Sequence, residues 1–216
     1  MRTSRLDLTE ALVSRLRNIG MPALLISGSA IGFYGESKER EFSETDAVGR
    51  GFSAELCRDW EASVSNIGSE STRYVLLRTG VVLDRALGAY PQMTQSFRFG
   101  LASWMGQGDH WLSWIHLADM VGAVMHCIQN EAVSGPVNMT APNPVTHRSF
   151  SGEVRNATTT LVGMGVPGWV MRLMVGEMAD ELLLTGQRVM PTKLLSTGYQ
   201  FCFGDLKDAI ADLEAR

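Results

Sequence analysis

The run Ala23-Leu24-Leu25-Ile26-Ser27 is apolar on both faces and comes directly after an amphipathic helix, and this pairing limits the fold more than any other feature of the chain. A strand with hydrocarbon on alternate sides must be covered twice, which is the situation of a parallel sheet between helical layers. The helix before it is expected over residues 4–19, because Leu8, Leu12, Leu16 and Ile19 recur at three- and four-residue spacing and Gly20 and Pro22 stop it. After an acidic loop from Glu36 to Asp46, the stripe Phe52, Leu56, Trp60 and Val64 predicts a second helix over 50–66. Arg73 to Arg78 then reads as another strand. Helix, strand, helix, strand in this order points to a doubly wound α/β layer with right-handed crossovers and excludes an all-β fold or a helical bundle.

The remaining signals are shorter. Residues 86–99 read as helix, Trp111 to His116 as a strand, Asp119 onward as helix, Val137 to Thr140 as a strand and 147–161 as helix. From Pro167 to Arg216 the chain is helical in character, with one strand expected at Tyr199 to Phe203 before a last helix carrying Leu206, Ile210 and Leu213. With 216 residues and 45% hydrophobic content the chain can build a full-sized core. Its 23 acidic against 19 basic residues argue against a nucleic-acid partner, which selects for a basic excess. Cys57, Cys127 and Cys202 have neither disulfide nor zinc-knuckle spacing, so no metal site is expected. The first ten residues lack an apolar signal core, and His116, Asp119 and His126 interrupt the most apolar stretch, so a cytoplasmic protein without membrane contact is expected.

Three landmarks carry a family resemblance. Ser27-Gly28-Ser29-Ala30-Ile31-Gly32-Phe33-Tyr34-Gly35 resembles the end of the fourth strand in the extended short-chain dehydrogenase/reductases, Arg78-Thr79-Gly80-Val81-Val82-Leu83 resembles the following strand end, and Trp114 to Asp119 resembles the junction into their substrate region. Phe52, the run Cys57 to Glu61 and above all Gly176 to Leu184 continuing through Gly186-Gln187-Arg188-Val189 and Pro191 are similar to an atypical subfamily. Its members are described as sugar-nucleotide epimerases or cell-division-inhibitor homologues and end in a domain of unknown function. The resemblance implies an α/β fold: a partial Rossmann-like doubly wound parallel sheet with its N-terminal strands absent, a small mixed substrate region and a helical C-terminal tail. It divides the chain into an NAD(P)-binding epimerase-type domain over 1–145 and a helical domain over 146–216.

The same resemblance implies NAD or NADP as cofactor, held by Ser27, Ser29, Arg78, Thr79, Gly80 and Val81, and a nucleotide-sugar-like substrate. Two departures qualify it. No GxxGxxG turn, whose glycines admit a pyrophosphate, occurs before Ala23, so the chain is expected to begin in the helix before the fourth strand, with Met1 a misassigned start or a fragment boundary. The Tyr and Lys that exchange protons one helical turn apart in active members are replaced by Phe52 and Leu56.

Ser29 and Tyr34 remain as catalytic candidates. Ser29 offers a hydroxyl at a strand end, and Tyr34 a phenol that either turns into the crevice or packs under the next loop. His116 and Arg188 are placed on the substrate side, although His116 and Asp119, three apart, suit acid/base work by an oriented imidazole less well than a structural junction in which Asp119 caps the next helix or holds the junction in place. Glu177, Asp180 and Glu181 form a further polar cluster near Arg188. Three readings stay open: an NAD(P)-dependent epimerase-like enzyme, a non-catalytic nucleotide-binding or regulatory protein, and an inactive fragment. The strand at Ala23 to Ser27, left as a sheet edge, is expected to favour self-association.

Overall fold

The computed structural model describes residues 2–65, 72–158, 160, 162–166 and 186–215. The chain opens with α1 (Arg2–Ile19), closed by Gly20 at φ 117° with its N–H on the Leu16 carbonyl. Then follow β1 (Leu24–Ala30), a 3₁₀ turn (Ile31–Tyr34), the short β2 (Glu41–Phe42), α2 (Phe52–Ser65) and β3 (Arg73–Thr79). The middle of the chain holds β4 (Val81–Leu83), α3 (Ala89–Met93), a second 3₁₀ turn (Gln95–Phe99), β5 (Leu101–Met105), β6 (Trp111–Leu112), β7 (Trp114–His116) and α4 (Leu117–Gln129). The last elements are β8 (Gly135–Met139), β9 (Val145–Thr146), α5 (His147–Ala157), β10 (Val162–Val166), β11 (Arg188–Val189), α6 (Thr192–Ser196) and α7 (Leu206–Ala215).

The central sheet runs β1-β3-β8 with both pairings parallel. One face packs Leu76 of β3 against Val64 of α2 and Val13 of α1. The other packs Val75, Leu77, Val137 and Met139 against Ala123 and Cys127 of α4 and Leu194 of α6. Helices therefore cover both faces, as the two-sided apolar strands require. Among the described residues β1 pairs with β3 alone and forms the sheet edge. A second core gathers Leu83, Tyr90, Leu112 and Trp114 with Phe150 and Val154 of α5 and Ile210 and Leu213 of α7, drawing on residues from both sides of position 145. No helix among the described residues is long and apolar enough to cross a membrane.

Several local expectations are corrected. Residues 86–99 do not form one helix: Gly88 and Gly100 bracket the segment at positive φ, and Thr94 ends α3 by donating its hydroxyl to the Tyr90 carbonyl. The segment Trp111 to His116 splits at Ser113 because its halves take different partners, β6 pairing antiparallel with β9 and β7 parallel with β4. Tyr199 to Phe203 is not a strand, since the buried Asp119 carboxylate accepts the N–H groups of Cys202 and Phe203 that a ladder would use. That contact gives Asp119 the junction-holding role its spacing suggested. Of the stripe expected on α2, Leu56 and Val64 are buried but Phe52 is 51% exposed, and the buried face takes in Ala54, Cys57 and Glu61 as well. Residues 167–185, where the helical tail and the cluster Glu177, Asp180 and Glu181 were expected, lie outside the described residues.

Candidate functional site

Parallel register places Ser29, Arg78 and Asn138 in one row across β1, β3 and β8, near the C-terminal ends of the strands. Residues opposite one another in neighbouring strands share a face, so the row presents a hydroxyl, a guanidinium and an amide side by side. Glu61 reaches it from α2: Ser29 Oγ donates to Glu61 Oε1 at 2.7 Å, and Arg78 forms a bidentate pair, Nε to Oε1 and Nη2 to Oε2, both at 2.8 Å. Tyr34 enters from the first 3₁₀ turn, accepting from Arg78 Nη1 at 2.9 Å and donating to Asn138 Oδ1 at 2.6 Å. Asn138 Nδ2 donates to the Met190 carbonyl, and Glu44 accepts the N–H groups of both Asn138 and Lys193. The chain end around β11 and α6 is thereby tied to the sheet.

All of these side chains are buried, from Asn138 at 0% to Glu44 at 8% exposure. The Arg78 guanidinium lies 3.5 Å from the centre of the Phe33 ring, and Tyr34 stacks on Phe42 at 5.2 Å. Burial opposes the charge on Arg78, but the Glu61 hydrogen bonds and the neighbouring groups more than offset this and raise its pKa. Tyr34 is pushed up to about 12, burial outweighing the Arg78 charge that favours the phenolate. A phenol in that state remains protonated at neutral pH and acts as a fixed hydrogen-bond relay. Tyr34→Phe is expected to cost about 1–2 kcal/mol of stability, because it leaves Asn138 Oδ1 and one Arg78 N–H without a partner. Urea denaturation at pH 7 measures this, and an unchanged midpoint would mean the phenol is idle.

The structure thus unites three of the expected residues, Ser29, Tyr34 and Arg78, and separates them from the others. Gly80 and Val81 have their N–H groups on the carbonyls of Met139 and Ser113. A Cβ on Gly80 would stand 2.5 Å from the Ser113 oxygen, so this glycine is needed for close packing. Thr79 Oγ1 donates to the Leu77 carbonyl, and Ser27 sits half-buried in the edge strand with its hydroxyl 3.4 Å from the Gly28 carbonyl. His116 caps α4 through Nδ1, which accepts from the Ala118 N–H, and its Nε2 lies 3.5 Å from Asp212 while its ring packs on Phe203. Arg188 is half-exposed in β11, over the Trp111 ring and 3.4 Å from Glu41. Glu61 and Asn138 belong to the network without having been expected there. Glu61 was legible as the end of the family-like run from Cys57, a carboxylate four residues after Cys57 and three before Val64, on what proves to be the buried face.

A parallel sheet clad by helices on both faces, with a polar row at its carboxyl ends, defines a Rossmann-like α/β protein. The chain belongs to the epimerase family of which human SDR39U1 is a member. An epimerase family protein of Mycobacterium bovis is 40% identical over 210 residues, covering 97% of this chain and 69% of that protein. The crystal structure of human SDR39U1 (isoform 2) with NADPH superposes with a TM-score of 0.94 at 30% identity, over 100% of this chain and 73% of that one. A nucleoside-diphosphate sugar epimerase from Corynebacterium glutamicum follows at a TM-score of 0.77 and 31% identity, over 97% and 41%. Residues 166–213 match a domain of unknown function, DUF1731.

Proposed function

We propose that this chain is the substrate-facing part of a nicotinamide-dinucleotide-linked epimerase-family protein, and that it receives a nucleotide-sugar-like ligand without supplying the phenol and ammonium pair through which such enzymes exchange protons. The observation that carries this reading is the chemistry of α2 and its neighbour: Phe52 and Leu56 stand where the resemblance puts that pair, and Tyr34, the phenol at the strand ends, is buried and bonded to Asn138 and Arg78. Phenylalanine has no proton to give, and a phenol raised to about 12 and held by two partners is not free to swing toward a ligand.

The NADPH of the human relative supports a dinucleotide as the family's cofactor. The side chains expected to grip it here do not fit that task. Ser29, Arg78 and the N–H groups of Gly80 and Val81 already have protein partners, and Gly80 leaves no cradle beside it. They support the strand ends from behind, so the contribution of these residues is to hold the shape of the crevice and keep water from the sheet interior. The neighbouring Corynebacterium glutamicum protein is a nucleoside-diphosphate sugar epimerase, which favours a ligand of that class.

Titrating the chain with UDP-glucose while following its five tryptophans, then mixing it with NAD+ or NADP+ and UDP-glucose or UDP-glucuronic acid, tests both halves of the reading. Saturable quenching without reduction of the dinucleotide or epimer formation is expected. Substrate-dependent reduction of the dinucleotide, epimer formation, or no binding by a folded chain would each overturn it.

A further inference from the structure

The loop between the first 3₁₀ turn and α2 borders an open crevice of about 430 Å³ that none of the expected site residues except Tyr34 lines. Its walls are built in advance of any ligand. Gly49 donates its N–H to the Phe33 carbonyl at 2.9 Å, and a Cβ at Gly49 would stand 2.1 Å from the Tyr34 oxygen, so loop and turn meet backbone to backbone. On the far side β2 is paired with β11, and the Arg40 N–H donates to Ser37 Oγ. The stacked rings of Tyr34 and Phe42 lie beneath.

Two arginines border this crevice with different commitments. Arg40 is paired with Asp46 and lies 5.1 Å from the centre of the Phe42 ring, so its charge is already answered. Arg50, two residues before α2, is exposed, and its guanidinium has no hydrogen-bond or ion-pair partner among the described residues. Glu36 supplies the one carboxylate of the lining. An open crevice of this size with an arginine of uncommitted charge among its lining residues and a short apolar lip at Val48 suits a small molecule carrying a phosphate.

We propose that this crevice binds the phosphate of a sugar phosphate or nucleotide sugar, with Arg50 as its principal ligand and Glu36 weakening the site by repulsion. The proposal stands without the nucleotide-sugar reading above, because glucose 1-phosphate, which has no nucleotide, is its probe. Calorimetric titration of the whole chain at low salt is expected to show saturable binding of glucose 1-phosphate and none of glucose. Arg50→Gln should weaken binding roughly tenfold or more, the usual size of a lost charge-assisted hydrogen bond. Glu36→Gln should tighten it about twofold, in keeping with a surface charge at moderate range. Both positions are exposed, so the variants should melt with the parent, and a merely structural role could not produce opposite shifts.

Competition by UDP-glucose would assign the seat to the phosphate of a nucleotide sugar, and absence of competition to a free sugar phosphate; each is a form of the proposed site. No saturable binding of glucose 1-phosphate at millimolar concentration, or equal affinity in parent and Arg50→Gln, would overturn it.

Discussion

Replacing Glu61 by alanine is expected to destabilise the fold by about 3–5 kcal/mol, the range for a buried ion pair that loses one partner. The reason is local. Arg78 is 3% exposed and would be left with its charge in the interior, with Ser29 losing its acceptor in the same step. In a chain of this size the change amounts to a fall of roughly 10 °C in the melting midpoint. The pair itself is a different quantity from its half. Glu61→Leu combined with Arg78→Met removes both charges and replaces them with hydrocarbon of similar bulk, and should recover most of the loss. Denaturant unfolding of the two variants beside the parent decides the matter: a single variant within 1 kcal/mol of the parent would mean that water reaches the pair and the network is ornamental.

The second large effect is a dependence on acid. His147 opens α5 with its ring 4.6 Å from that of His110, and His147 Nδ1 and His110 Nε2 are buried without a hydrogen-bond partner among the described residues. Burial, and then the neighbouring His110, hold His147 down to about 4 from the ordinary 6.5. His110 is lowered by burial as well, against the pull of Asp109 and alongside the push of Lys38. Below pH 6.5 the unfolded chain binds a proton that the folded chain refuses. Stability is therefore full above pH 6.5 and falls as the pH drops toward 4, by up to about 3 kcal/mol from His147 alone. Unfolding midpoints of the parent and of His147→Gln at pH 7.5 and 4.5 measure it. The parent should lose much more than the variant, and parallel losses would place the sensitivity elsewhere.

How much of this was readable beforehand depended on the length of each signal. The strands of the central sheet and helices α1, α2, α4, α5 and α7 announce themselves because each repeats an apolar pattern over several residues. The short strands β6 and β7 were read as one strand, and only their break at Ser113 was hidden; β2, β4, β9 and β11 are too short to have a period and exist because distant segments bring partners to them. The candidate site shows the same division. Ser29, Tyr34 and Arg78 stood out through the family resemblance, and the structure brings them together. Their purpose was hidden, since a carboxylate such as Glu61 on a helix reads as solvated until the helix is oriented, and only the position of Arg78 in β3 turns it inward. Asp119 was legible as a junction residue, yet its partners lie more than eighty residues on, beyond any spacing rule.

The row Ser29, Arg78 and Asn138 also acts as a check on alignment during folding. A parallel sheet can assemble with one strand displaced by a residue, and hydrocarbon alone tolerates the error on a two-sided apolar sheet. Here such a slip would turn Arg78 away from Glu61 and toward the apolar side that holds Val75, Leu77, Val137 and Met139, where nothing pairs with it. A single charge thus serves as a proofreading mark, penalising misaligned sheets far more heavily than it strengthens the correct one.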